Sequence, residues 1–296
     1  MELINCKTMD VKMKYYLVTI LAAILIITAS GCADLQTDIN QPESILIHNK
    51  DITNSSSPDF HGNLLKGKFW KMTECQACHG PKYSGLTAPS CLTCHTTSFG
   101  PEACNTCHGS FTDPTRIAPP RSINNNSNTS DKGVGAHSKH LYDNTLGNQT
   151  SCFTCHNVPQ SIYASGHFDT GLPAEVFLKE LALANVANNA VYDPTAATCS
   201  NTYCHGNFVF YKNEAPAEDQ FVFTADSMAG LNNTVDWTKV DGSQAACGSC
   251  HGLPPAGHIQ VPLTACASCH GTVIDFNGNI IDKTRHINGI INVRQK

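Results

Sequence analysis

Polar, small and turn-forming residues run through most of the chain, and sustained apolar segments are few. Near the N-terminus, Leu17 to Thr28 reads LVTILAAILIIT behind Lys7, Lys12 and Lys14. That run is shorter than the ~20 residues of a spanning helix, and with its basic flank it predicts a secretory leader over residues 1–31. PAEVFLKELALANVANNA, from Pro173 to Ala190, has Pro near its start and good helix formers after it, and predicts the best helix of the chain. NFVFY and QFVFT are brief strand signals that predict a small hairpin. Elsewhere short helical turns at cysteine motifs and many loops are expected. The fold class is therefore mainly loops with short α-helices and little β.

The leader ends in ASGC, where Cys32 takes the position acylated in bacterial lipoproteins and Ala29 stands where Leu is usual. An exported protein anchored to a membrane through lipid on Cys32 is expected, with ordinary cleavage nearby as the alternative. Translation could begin at Met9 or Met13, which would drop Cys6. Residues 32–60, with NSSSPD in the middle, read as a polar tether. Only 15% of the 296 residues are charged and 7% are aromatic, and Ala and Cys inflate the 41% hydrophobic share. Side chains alone would make a thin core, so something besides aliphatic packing is expected to fill the interior. A net charge of −5 argues against a nucleic-acid partner.

The chain holds 16 Cys, and beyond Cys6 and Cys32 they fall into seven pairs: Cys75/Cys78, Cys91/Cys94, Cys104/Cys107, Cys152/Cys155, Cys199/Cys204, Cys247/Cys250 and Cys266/Cys269. Each pair is followed at once by a histidine: His79, His95, His108, His156, His205, His251 and His270. C-x-x-C-H is the attachment signature of c-type haem. Two thiols add across the two vinyl groups of one porphyrin, and the adjacent imidazole is delivered to the iron as proximal ligand. Zinc knuckles do not need a His after every pair, and a disulfide framework explains the cysteines but not the histidines. CSNTYCHG, from Cys199 to Gly206, has two extra residues between its cysteines yet keeps the second Cys and its His in register. Beside six regular copies it reads as a seventh site, so seven covalent haems with iron are expected.

Seven histidines remain: His48, His61, His137, His140, His167, His258 and His286. They match the number of distal positions if every iron is bis-histidine. Methionine competes little, since the mature chain holds only Met72 and Met228. An iron with protein ligands on both sides has no place for substrate, so a low-potential electron carrier is expected and not an enzyme. Residues 61–120 form a trihaem segment, residues 121–133 a linker or long surface loop rich in Asn and Ser, and residues 134–296 a tetrahaem module. From the third motif to the sixth the first cysteines recur at 48, 47 and 48 residues, which is suggestive spacing without matching sequence between. His137 and His140 share a face if helical, and could serve two adjacent haems and so stitch the trihaem segment to the rest. Trp70 and Trp237 each precede a motif, where they could pack on a porphyrin or simply fill core.

The strings DFHG, FWKMTECQACHG, SCLTCHTTSFGPEACNTCHG, GAHSKHL, SCFTCHNVP, TCSNTYCHG, CGSCHGLPPAGH and HINGIINV resemble the multihaem c-type lipoprotein cytochromes of metal-reducing bacteria. Members of that family mix CxxCH with CxxxxCH sites. The resemblance spans nearly all of the mature chain and implies a stacked chain of covalent bis-His haems, with His258 and His286 as distal ligands. It further implies electron transfer at the outer membrane or cell surface, toward other cytochromes or extracellular acceptors such as ferric oxides. Two other readings are a polymerising filament subunit sharing a ligand such as His48 between copies, and a nitrite- or hydroxylamine-type reductase with one open iron.

Overall fold

The computed structural model describes residues 6–29 and 47–293, apart from residues 112, 114, 118–120, 125, 170, 172 and 186–188. The fold is mainly loops with short helices and little strand. Two compact units are present, Met1–Leu64 and Leu65–Lys296. In the first, Cys6–Ala29 is one continuous helix, α1. Among the described residues no helix is long and apolar enough to cross a membrane. Cys32 lies outside the described residues. The short helix α2, His61–Gly67, begins where the His61 backbone N–H donates to Ile52 O at 2.8 Å.

In the second unit the α-helices are short: α3 (Gln76–His79), α4 (Cys104–His108), α5 (His137–Tyr142) and α6 (Ala267–His270). All but α5 carry cysteine-motif residues. Strands β1 (Val191–Asp193), β2 (Thr198–Ser200), β3 (Val209–Tyr211), β4 (Ser227–Ala229) and β5 (Val235–Asp236) make two small antiparallel sheets, β1-β2-β5 and β3-β4. In the first sheet Cys199 stands opposite Tyr192 and Val235.

The segment from Pro173 is not the helix that its composition predicts. Among its described residues only Glu180–Leu183 coil, as one 3-10 turn. Tertiary pairing takes the backbone groups that a helix would need. Phe177 N–H donates to Cys155 O at 2.8 Å and Lys179 N–H to Thr154 O at 2.9 Å, so the segment runs extended along the fourth motif. Propensity is a weak prior and an isolated helix of this length is marginal in water, so tertiary contacts decide the conformation. The hairpin is corrected in part. Strand β3 forms within NFVFY, but it pairs with Ser227–Ala229. QFVFT instead enters a 3-10 turn, Ala217–Val222, and Phe223 bridges to His258.

The described residues of 121–133 form a surface loop inside the second unit, tied to it at several points. Lys132 Nζ donates to Pro194 O at 2.9 Å and Thr195 O at 2.7 Å, and Lys66 Nζ to Asn124 Oδ1 at 2.8 Å. The side-chain core is thin. Met72, Tyr83 and Ile162 form its one cluster among the described residues, with Leu65, Cys75, Cys91 and Phe168 against it.

Gly206, which follows the bulged motif, sits at φ +95, and a Cβ there would lie 2.0 Å from Cys250 O. Gly242 also has positive φ (+85) but open space around it. Gly206→Ala should therefore lower stability by about 1–3 kcal/mol more than Gly242→Ala, the difference being the overpacking cost. Denaturant midpoints of the two holoprotein variants check this; equal midpoints would show that the Cys250 backbone does not close on Gly206.

Candidate haem-binding sites

A C-x-x-C-H string places its three donors at i, i+3 and i+4, which is one helical turn with all three on one side. The chain folds it that way. His95, His156 and His270 N–H donate to the carbonyls of Cys91, Cys152 and Cys266 at 3.0, 2.9 and 2.9 Å. None of the fourteen motif cysteines is in a disulfide. The bulged motif is built differently. Cys199 lies on β2, while the turn that presents Cys204 and His205 is closed by His205 N–H to Thr202 O at 3.1 Å. The two extra residues are the passage from strand to turn. Asn201 makes the corner at φ +58, a conformation Asn tolerates better than most residues. Its carbonyl accepts from Asn207 Nδ2 at 2.7 Å and its side-chain oxygen from Asn232 Nδ2 at 3.0 Å.

Uniform spacing predicts uniform sites, and here the structure differs. Cys94, Cys104, Cys152 and Cys247 are exposed, whereas Cys78, Cys107 and Cys269 are half-buried. The second cysteines of the first, second and seventh motifs are held through their backbones. Cys78, in α3, accepts at its carbonyl from Thr87 and Ala88 N–H at 3.2 and 3.1 Å. Cys94 N–H donates to Cys91 O at 3.2 Å, and Cys269 N–H in α6 donates to Cys266 O at 3.2 Å. These bonds shape the turn but do not bear on the thiol, so the thioether role of Cys78, Cys94 and Cys269 rests on motif spacing. The difference has a simple origin: a local turn fixes the cysteine's place in the motif, while its burial depends on which distant segment folds over it.

Three proximal histidines each face one remaining histidine. The ring centroids of His108 and His167 are 6.0 Å apart, those of His137 and His156 6.3 Å, and those of His140 and His205 6.2 Å. Two metal–imidazole bonds of about 2 Å, plus roughly 1 Å from each nitrogen to its ring centre, sum to about 6 Å. Among the described residues no group of three or more His, Cys, Asp or Glu side chains is placed to hold a metal ion. Imidazoles that meet in pairs suit a metal whose other four positions belong to a macrocycle, so the residues fit haem iron.

The second nitrogen of the rings supports the same reading. Ten imidazoles, those of His61, His79, His137, His140, His156, His167, His251, His258, His270 and His286, have Nδ1 within 2.5–2.9 Å of a backbone carbonyl. A carbonyl can only accept, so Nδ1 carries the proton and Nε2 keeps the lone pair that a metal needs. Burial also holds several rings neutral. It lowers His137 and His205 to about 4 and depresses His108, His140 and His286. His205 is an exception in its hydrogen bonding: its Nδ1 is buried without a partner among the described residues.

The pairing differs from the stitching expected at GAHSKHL. Both His137 and His140 face histidines of later motifs, His156 of the fourth and His205 of the fifth, and it is His167 that reaches back to His108 of the third. Position in sequence did not show this, because the chain folds back after the fourth motif. His286 lies near enough to His251 to feel its charge. His258 is placed by its own Nδ1 bond to Ile259 O at 2.7 Å, and His48 is exposed. His61, in the first unit, is fixed on Ile52 O at 2.9 Å.

Neighbouring motifs also touch. Cys75 and Cys91 pack on the same apolar cluster, and Phe168 of that cluster stacks on His167 at 4.1 Å. Burial pushes the Cys204 thiol up to about 12, and Cys155 and Cys250 beside it add to the shift. The residues missed by sequence reading are the carbonyl acceptors, which have no side-chain signature, and the Asn brace of the bulge.

The family described as the Geobacter CxxxxCH...CXXCH motif matches residues 198–251, the fifth and sixth motifs. No curated protein and no solved structure gives a significant match. The family match and the many cysteines support a multihaem c-type cytochrome with covalently bound haem, acting in electron transfer.

His167→Ala and His137→Ala should each open one axial position. In either variant one haem equivalent should turn high-spin and bind carbon monoxide when reduced, read by the reduced-minus-carbonyl difference spectrum. An unchanged spectrum in both would show that these rings are not ligands.

Proposed function

We propose that the chain is a seven-haem electron relay, exported and held at a membrane surface by lipid on Cys32. It would pass electrons at the outer membrane or cell surface toward other cytochromes or extracellular acceptors such as ferric oxides. The observation that carries this reading is the facing of imidazoles in pairs at 6.0–6.3 Å. A pair at that separation would hold one iron from both sides and leave no room for a substrate.

A c-type haem so held supplies a one-electron ferric/ferrous couple without bond making. The protein residues have three tasks. The paired cysteines fix each group to a short turn of backbone. The Nδ1–H bonds set ring orientation and make Nε2 a stronger donor, which favours the ferric form and a low potential. Burial around His108, His137, His140 and His205 keeps those rings neutral and restricts water. Cys75 and Cys91 share one apolar cluster with Phe168, which stacks on His167, which in turn faces His108, and Cys155 and Cys250 both lie near enough to Cys204 to raise its thiol. Such proximity of motifs serves a relay.

The reductase alternative needs an iron with an open side. The reduced wild-type holoprotein should bind no carbon monoxide and should turn over nitrite or hydroxylamine no faster than free haem. Stoichiometric carbonyl binding to one haem, or turnover well above that background, would replace the relay by an enzyme. Cys32→Ala should move the protein from the membrane to the soluble fraction; unchanged fractionation would remove the lipid anchor from the proposal.

A further inference from the structure

Trp237 touches both histidines of α5. Its indole lies nearly parallel to the His140 ring, with centroids 5.5 Å apart and planes at 22°, and edge-on to His137 at 4.7 Å and 90°. The indole is itself fixed. Nε1–H donates to Lys132 O at 2.8 Å, and the Trp237 backbone N–H donates to Ala197 O at 2.8 Å. Gly135, at φ +41, lies so close that a Cβ there would stand 2.0 Å from Nε1. From the other side, His137 and His140 donate Nδ1–H to Val134 O and Ala136 O, both at 2.9 Å. Neither imidazole can turn about its Cβ–Cγ bond without striking the indole or losing that bond.

The consequence is a different ring geometry in the two pairs. His137 and His156 are near parallel at 23°, whereas His140 and His205 are crossed at 70°. The plane of an axial imidazole matters because the ring is a π donor in one direction only. Low-spin ferric iron has one hole in a pair of dπ orbitals. Parallel rings raise the same orbital of that pair, and the hole settles there, which stabilises the ferric form. Crossed rings raise both orbitals alike, and that stabilisation is lost. A second difference has the same sign. His156 Nδ1–H donates to Glu175 O at 2.8 Å, while the buried Nδ1 of His205 has no partner among the described residues, so His205 is the weaker donor to ferric iron.

We propose that Trp237 is a positioning residue that crosses the ligand planes at the CxxxxCH site and makes it the more oxidising of the two sites served by α5. An electron shared between them would rest on the Cys199/Cys204 side. The inference depends on the bis-imidazole reading above.

The test is low-temperature electron paramagnetic resonance with potentiometry on the oxidised holoprotein. Crossed imidazoles give a low-spin signal with a very large maximal g value, and near-parallel rings give a rhombic one. The wild type should contain the crossed-plane signal. Trp237→Leu should remove one haem equivalent of it, add one to the rhombic class and shift one midpoint downward, whereas Trp237→Phe, which keeps a flat ring beside His140, should retain it. His140→Ala must also remove one equivalent, which assigns the crossed signal to this site. Gly135→Ala, whose Cβ would stand 2.0 Å from Nε1 and so displace the indole, should lose it too and decides the matter if Trp237→Leu does not accumulate. A wild type without the signal, a Trp237→Leu spectrum and potentials equal to wild type, or survival of the full signal in His140→Ala would overturn the proposal. Failure of the bis-imidazole reading itself would look different, as high-spin signals in the wild type.

Discussion

Ten imidazoles donate Nδ1–H to a backbone carbonyl, and several of those carbonyls belong to segments far from the ring in sequence. A hydrogen bond of this kind contributes about 1 kcal/mol net, but its larger effect is on direction. It fixes the tautomer and aims Nε2. The acceptors come from all along the chain: Pro89 serves His79, Glu175 serves His156, Leu146 serves His286 and Asn292 serves His270. To bring such distant carbonyls to the rings, the backbone must loop from motif to motif. A chain of short turns and few strands follows from that demand, and a thin side-chain core is tolerable because large covalent groups are expected to share the interior.

The same demand explains what could and could not be read from the sequence. Cysteine spacing exposes the attachment turns directly, since C-x-x-C-H is a local instruction satisfied within one turn, as His95 on Cys91 and His156 on Cys152 show. Spacing says nothing of how deeply a thiol is set, and so exposed Cys94 and half-buried Cys78 and Cys269 looked alike in the sequence. The bulged Cys199 site was legible by its company, although the sequence did not reveal that Cys199 would lie on a strand. The stretch from Pro173 failed because propensity is local and its fate is not. Glu175 O is needed by His156, and Phe177 and Lys179 pair with the fourth motif. The facing partners were invisible for a related reason. His137 and His140 lie in sequence between the third motif and the fourth, and only the fold-back that brings His167 to His108 separates the possibilities.

Trp237 shows how few residues can distinguish neighbouring sites made of the same parts. One indole, held by the carbonyl of Lys132 and by the absence of a side chain at Gly135, meets one ring face-on and the next edge-on. Both imidazoles belong to the same short helix, so their different planes come from tertiary packing and not from sequence. A string of chemically identical centres can in this way acquire unequal potentials without any change of ligand, through ring plane and hydrogen bonding alone.

The central claim is that imidazole closes both axial sides of every iron along this chain. Near-infrared magnetic circular dichroism of the fully oxidised holoprotein, scaled to its measured haem content, tests it most directly, because the ferric charge-transfer band reports the axial pair of each low-spin centre. Seven haems per chain with bis-imidazole bands alone is the predicted result. A histidine–methionine or high-spin band of one haem equivalent or more, or a haem content below the number of motifs, would contradict it.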